Sequence, residues 1–371
     1  MKKVKLAVVG VGNCASSLTQ GIEYYKHHHN EHSDGIMQPN INGWRPQDIA
    51  IVAAFDVDKR KIGLPIEKAI FAEPNCTTVF QKFIPVNGVR VKMGQLLDGV
   101  ADHMAEYPNS QSFRVAQEDS VNVVEELKSS GAEVLVCYLP VGSQKAVEFY
   151  ANACLQAKVA MVNCVPVFIA SDKKWANNFT QAGVPIIGDD IKSQVGATIV
   201  HRVLARLFND RGCKISRTYQ LNTGGNTDFL NMLERSRLKY KKISKTESVQ
   251  SQLDVPLDTN KIHIGPSDYV PWQKDNKVAF IRIEGKGFGG APIDLEMRLS
   301  VQDSPNSAGV VIDAIRCVAL ARERGLAGPL NSASSYYMKT PPAQYRDHIA
   351  RELTNEFIMG ENIQVNKNKI N

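Results

Sequence analysis

A strand that runs into a glycine turn and then into a helix constrains this chain more than any other feature. Residues 4–18 read VKLAVVGVGNCASSL: an apolar run, Gly10 and Gly12 around Val11, then a stretch able to start a helix. Glycines there permit a tight turn and let the backbone approach a pyrophosphate, whose charge sits on the helix N-terminus. The loop has the form G-x-G-x-x-A, with Asn13 and Cys14 next and Ala15 in the third place. Alone the pattern is weak, and an ordinary strand-to-helix turn competes with it. The strand before it and the helix after it favour a dinucleotide.

Asp56, near the end of IVAAFDVD, is the candidate ribose ligand. It lies beyond the usual spacing of about 20 residues. Residues 26–47, polar and broken by glycine and proline, account for the excess as an expected surface insertion. A carboxylate at that position repels a 2′-phosphate and favours NAD over NADP, while Lys59 and Arg60 pull the other way.

The remaining apolar runs support a parallel α/β sheet, with strands expected at 5–9, 50–55, 134–138, 159–163 and 184–187. A helix is expected over 193–209. Beyond it the pattern changes. Residues 278–284 and 293–301 read as strands, the second with Ile293, Leu295, Met297, Leu299 and Val301 on one face and polar residues on the other. That alternation predicts an antiparallel sheet with one solvated or interface face. Asp303-Ser304-Pro305 opens a helix expected to reach about residue 324.

Composition excludes several classes. With 371 residues, 43% hydrophobic and 22% charged, the chain suits a soluble protein of two domains. Its net charge of +6 is scattered, so anionic small molecules are expected as ligands and nucleic acid is not. No apolar stretch approaches the ~20 residues of a membrane span, and no signal peptide is evident. Seven cysteines without a C-x-x-C read as reduced thiols of a cytoplasmic protein.

Chemistry-bearing residues gather in four further places. CYLPVGS (137–143) sits at an expected strand end, with Pro140 and Gly142 turning the chain beside the nucleotide or simply forming a loop. GDDIKSQVGAT brings Asp189, Asp190, Lys192 and Ser193 to another strand end, where the aspartates suit a metal, a lysine or a helix cap. NTGGNTDFLN carries Asn222, Asn226 and Asp228 around a double glycine. In KKISK, Lys241 and Lys245 share a helix face. At about 5.5 Å their repulsion is about 3 kcal/mol in a medium of effective dielectric about 20, enough to lower one pKa by about two units. On an exposed helix the same pair is only a solvated face. His27, His28, His29 and His32 read as a solvated loop, and His201 as structural.

Together GVGNCASSL, GDDIKSQVGAT, GGNTDFLN, KKISK and DSPNSAGVVIDAIR resemble inositol-1-phosphate synthase in its shorter bacterial and archaeal form, in order and over nearly the whole chain. The resemblance implies an α/β fold: a Rossmann-like NAD-binding domain with a parallel sheet (1–200), an inserted α+β catalytic and oligomerisation domain (201–305), and a return to the first domain (306–371). It also implies a homotetramer. The implied reaction converts D-glucose 6-phosphate to inositol 1-phosphate (1D-myo-inositol 3-phosphate) by C5 oxidation, enolisation, intramolecular aldol cyclisation and C5 reduction. NAD is consumed and restored, and a divalent or monovalent cation serves some members.

Carried over position by position, the reactive lysines are Lys241, Lys245, Lys277 and Lys339. Asp190 and Asn226 join them as catalytic positions, while Lys241, Tyr150, Ser193, Asp228 and Asp303 match cofactor contacts. Longer members have K-E-I-S-K where this chain has Lys242 in the middle. Two other readings remain: a net dehydrogenase of a sugar or sugar phosphate, and a non-catalytic NAD-binding regulator.

Overall fold

The computed structural model describes residues 2–28 and 34–361; His29 and His32 therefore lie outside the described residues. The first unit is β1 (Val4–Val9), α1 (Asn13–His27), β2 (Ile49–Asp56), α2 (Ile66–Ala69), β3 (Val91–Met93), α3 (Val123–Ser129), β4 (Val134–Cys137), α4 (Gln144–Ala157), β5 (Ala160–Asn163), α5 (Lys173–Ala182), β6 (Pro185–Ile187) and α6 (Ala197–Asp210). The second is β7 (Lys214–Gly224), α7 (Thr227–Asn231), α8 (Lys239–Gln250), β8 (Ile262–Tyr269), β9 (Asn276–Lys286) and β10 (Pro292–Gln302). The chain then forms α9 (Asp303–Glu323), β11 (Gly328–Pro329), α10 (Asn331–Tyr337) and α11 (Asp347–Met359).

The first sheet has seven strands in the order β11-β6-β5-β4-β1-β2-β3, and its pairings are parallel. Helices cover both faces of such a sheet. One face packs Val4, Leu6 and Val8 against α1 and α9, and the other packs Ala7, Val9 and Leu135 against α3 and α4. From Ser307 to Ala321 every residue of α9 is buried, as befits a helix that is apolar nearly all round. Strand order reverses between β1 and β4, and ligands collect outside the carboxyl ends of the strands at such a point. Gly10, Asp56, Tyr138 and Cys164 follow or close those strands.

The second sheet is four-stranded, β10-β9-β7-β8. The expected hairpin is present, with β9 and β10 antiparallel from Asn276–Gln302 to Lys286–Pro292. The sheet is mixed, however, because β7 and β8 run parallel. Their connection holds α7 and α8, and a parallel pair needs such a crossover. Ile281 and Ile283 turn inward toward Ala205 and Phe208 of α6, with Leu295 and Met297 half-buried beside them.

The described residues of the 26–47 stretch are partly exposed, as their polarity predicts, but the stretch is also anchored in the core, which polarity does not predict. Ile41 and Trp44 are buried in the core beside α9. Fully buried Arg316 reaches back from α9, donating to the carbonyls of Gln38 and Trp44 at 2.6 and 3.1 Å and pairing with buried Asp313. Two apolar side chains and one arginine outweigh the polar remainder. Histidines 27 and 28 are tied locally, the first to Glu23 and the second stacked on Tyr24.

His201 is structural, as expected. Its Nε2 lies 2.8 Å from the Thr218 hydroxyl, which itself donates to the Arg282 carbonyl, and its Nδ1 lies 3.3 Å from the Gln220 amide oxygen. Burial lowers the imidazole pKa to about 4, only partly offset by Gln220. The unfolded chain then binds more protons between that value and about 6.5, so this group's contribution to stability is lost as pH falls through the window, by about 3 kcal/mol in all. Urea unfolding across that range is expected to show this slope in the wild type and to lose it in His201→Gln. An equal slope in both would contradict the assignment.

Candidate active site

The glycine turn is built as its sequence requires. Gly10 has φ +89°, and a Cβ there would lie 2.6 Å from the Tyr138 carbonyl oxygen, so only glycine fits between β1 and β4. Gly12 precedes the first turn of α1. The Asn13 side chain ties the start of α1 to the 76–77 segment: its Oδ1 accepts from the backbone N–H groups of Cys76 and Thr77 at 2.7 and 3.0 Å. Ala15 is buried in the core, where a larger side chain would separate helix from strand.

Asp56 ends β2 beside this turn. One carboxylate oxygen accepts from Val11 N at 2.6 Å and the other from Val57 N and Asp58 N. Buried Lys61 supports the same turn, donating to the Val11 carbonyl at 2.8 Å. Arg60, which by sequence competes for a 2′-phosphate, is committed elsewhere: it holds Asp58 through Nε at 2.8 Å and donates to the Ser112 carbonyl. Asp56 lines a cavity with Gly10, Gly12, Pro140 and Tyr150. Tyr150 is buried on α4, and its hydroxyl accepts from Gln95 N at 3.2 Å.

An adjoining cavity takes in the second unit. Gly12, Asn13, Cys14, Pro140, Asp190, Ser193, Asn226, Asp228, Asp303 and the four lysines, Lys241, Lys245, Lys277 and Lys339, all line it. The catalytic and cofactor positions expected from sequence border one of the two cavities, except Ala15; Gly142, Asp189, Lys192 and Asn222, also singled out by sequence, line neither.

Three of the lysines face a carboxylate. Lys339 donates to Asp190 at 2.8 Å and to the Ile191 carbonyl at 2.6 Å. Lys277 meets Asp303 at 3.2 Å, and Lys241 meets Asp228 at 3.5 Å. Burial opposes the charge on Lys241, but Asp228, Asp190 and Asp303 outweigh it and raise its pKa. Asp190 is buried and Asp303 half-buried, yet Lys339 and Lys277 respectively hold them below the usual carboxylate range. Lys245 differs: burial first, then the charges of Lys241, Lys277 and Lys339, drive it well below the ordinary lysine value, and Asp190 only partly offsets them. Sequence spacing anticipates a depressed member of the pair; the main cause is desolvation, with repulsion second.

The aspartate pair divides its work, and neither member caps the following helix. That helix starts at Ala197 behind Gly196, which makes no side-chain cap, so residues 193–196 are loop and not the first helical turn. Asp189 is fully buried and anchors the loop after β5, accepting from Asn163 Nδ2 at 2.7 Å and from the backbone N–H groups of Ile169, Ala170 and Ser171. Asp190 holds Lys339 and accepts from the Ser244 hydroxyl at 2.7 Å. Asn226 caps α7 with its oxygen and gives its amide to Asp275 at 2.8 Å.

Sequence reading misses two residues that shape the cavity, Ser244 and Asp275, and names a third, Lys192, without its partner. Ser244 stands three residues after Lys241 on the same helix, so that periodicity could have found it. Asp275, two residues before Lys277, accepts from Asn226 and from Ser304 N and Oγ, joining α7 to the start of α9; nothing in the sequence announces it. Lys192 is buried and shares Asp347 with Arg202, locking α11 behind the 193–196 loop.

Among the described residues no group of three or more His, Cys, Asp or Glu side chains is placed to hold a metal ion. The cavity's carboxylates are matched to lysines instead. No helix among the described residues is long and apolar enough to cross a membrane.

The comparisons agree with this arrangement. The family model for myo-inositol-1-phosphate synthase matches residues 196–304. The chain is 52% identical over 359 residues to an inositol-3-phosphate synthase of Mycobacterium tuberculosis, covering 96% of each chain. It is 50% identical over 366 residues to the Corynebacterium glutamicum inositol-3-phosphate synthase, covering 96% of this chain and 98% of that one. The fold matches the crystal structure of a myo-inositol-1-phosphate synthase-related protein from Thermotoga maritima, with a TM-score of 0.79, 23% identity, and coverage of 96% and 98%. Full-length identity at this level, with the glycine turn and the lysine cavity in place, shows that the chain belongs to the myo-inositol-1-phosphate synthase family.

Proposed function

We propose that this protein converts D-glucose 6-phosphate to inositol 1-phosphate (1D-myo-inositol 3-phosphate), with NAD as a resident catalyst. The observation that carries the reading is Lys245, driven well below the ordinary lysine value beside three lysines that each face a carboxylate, in a cavity that includes the dinucleotide turn. The fit to NAD rests on the close approach at Gly10, on Asp56, and on the commitment of Arg60 to Asp58. Bound NAD supplies the hydride acceptor and then the donor for C5.

The chain's own groups do the rest. Lys245, uncharged, accepts the proton released from the C5 hydroxyl as hydride leaves C5, or the proton released from C6 on enolisation, and returns it to an oxygen of the substrate later in the cycle. Lys241, Lys277 and Lys339 supply positive charge to the oxyanions that form on O5 and on O1 during cyclisation, in a site where water competes little. Asp190 and Asp303 orient those ammonium groups through their ion pairs. Ser193 and the first turn of α6 line the same cavity and suit the substrate phosphate. No cation is assigned a step, because the carboxylates that might hold one are matched to lysines.

A homotetramer through the second unit belongs to the same proposal. Val203 and Leu207 of α6 are about half exposed, at 56% and 48%, and Ile293, Leu295 and Met297 of β10 are half-buried; exposed apolar side chains of this kind favour association. All seven cysteines are unpaired, which supports a cytoplasmic location.

Purified protein given D-glucose 6-phosphate and NAD is expected to form inositol monophosphate without NADH building up. NADH in proportion to substrate consumed would favour a dehydrogenase, and binding without product would favour a regulator.

A further inference from the structure

Immediately after β4, Tyr138 carries a buried hydroxyl with no hydrogen-bond partner among the described residues. Native proteins pair nearly all such groups, and one left unmade is costly. Burial holds the phenol well above its ordinary pKa, so it is a hydrogen-bond donor at working pH. Its ring packs against the core shared by α1 and α9, which makes the hydroxyl's direction a fixed property of the fold.

Its position is specific. Tyr138, Leu139 and Pro140 line both the Asp56 cavity and the lysine cavity. The hydroxyl's ionisable neighbours are the thiols of Cys164 and Cys14, which border the lysine cavity and not the Asp56 cavity. The phenol therefore stands where the two cavities meet. Both thiols are themselves raised by burial, Cys14 to about 12, so they stay protonated and offer at most weak sulfur acceptors.

A dinucleotide with its adenosine ribose at Asp56 and its pyrophosphate at Gly12 must carry its nicotinamide past this point to reach the lysines. The ring's polar handle is its carboxamide. We infer that the Tyr138 hydroxyl donates to the carboxamide carbonyl of bound NAD and so fixes the nicotinamide against the substrate cavity. The inference rests on the NAD reading above and makes Tyr138 a cofactor-positioning residue of this chain.

Tyr138→Phe tests it, because the ring and its packing stay. Calorimetry on dinucleotide-free protein is expected to show NAD bound about tenfold or more weakly by the variant. 3-Acetylpyridine adenine dinucleotide, which keeps the carbonyl, is weakened alike, whereas ADP-ribose, which lacks the ring, binds both proteins equally. Without ligand the variant melts at the wild-type temperature or above it, since a costly unpaired group is gone. An NAD affinity within twofold of wild type overturns the inference, as does an equal loss for ADP-ribose or a lower melting temperature without ligand. Failure of the wild type itself to bind NAD would instead overturn the function proposed above.

Discussion

Replacing Lys245 with methionine is expected to lower kcat by about 10²–10⁴-fold, the usual contribution of a positioned general acid–base group, while NAD uptake is unchanged. The side chain is 5% exposed, and methionine fills nearly the same volume without an amine to desolvate, so the fold survives the change. The pH profile gives a second, independent readout. An amine acting as base must be neutral, so wild-type activity falls on the acid side as Lys245 takes up a proton. Charge on Lys241 helps to hold that pKa down. Lys241→Met removes the repulsion, and the acid limb of whatever activity remains moves to higher pH. Steady-state kinetics across pH check both statements. Full turnover in Lys245→Met, or an unmoved limb in Lys241→Met, would remove Lys245 from its role.

The largest loss of stability is expected from Arg316→Met. This guanidinium is fully buried, pairs with buried Asp313, and donates to the Gln38 and Trp44 carbonyls. Its loss leaves the Asp313 carboxylate without its counter-charge and removes the guanidinium donor from the Gln38 carbonyl, and breaking a buried pair from one side costs about 3–5 kcal/mol. The urea midpoint should fall accordingly, and protease cutting should appear first within residues 34–48. A midpoint change equivalent to less than about 0.5 kcal/mol, as for an ordinary surface substitution, would contradict the role given to Arg316.

These two predictions mark what the sequence makes visible and what it hides. Local signals survive folding. The glycine turn, the strand ends at Asp56 and Cys137, the β10 alternation and the i,i+4 lysines lie close to where periodicity and turn chemistry put them. Long-range pairing is hidden. Polarity alone places residues 26–47 outside, but Arg316, more than 270 positions away, draws Ile41 and Trp44 into the core. Strand β8 reads IHIGPSDY, and its Gly-Pro interruption conceals a strand that is paired on β7. The same limit applies in the cavity. Spacing identifies Lys241 and Lys245 as a pair, but only the packed structure shows that burial, with three neighbouring ammonium groups, depresses Lys245 while carboxylates hold Lys241 charged. Asp189 and Asp190 are adjacent in sequence yet serve a loop and a lysine respectively, a division no dipeptide can announce.

The central claim is that the nucleotide held at Gly10 and Gly12 is a catalyst and not a co-substrate. The most direct measurement supplies D-[5-²H]glucose 6-phosphate with NAD well below the substrate concentration and follows label in the product and in the nucleotide. Many turnovers per NAD are expected, with deuterium retained at the former C5 of inositol phosphate and no NADH accumulating. Turnover that stops after one equivalent of NAD, with deuterium left in free NADH, would contradict it.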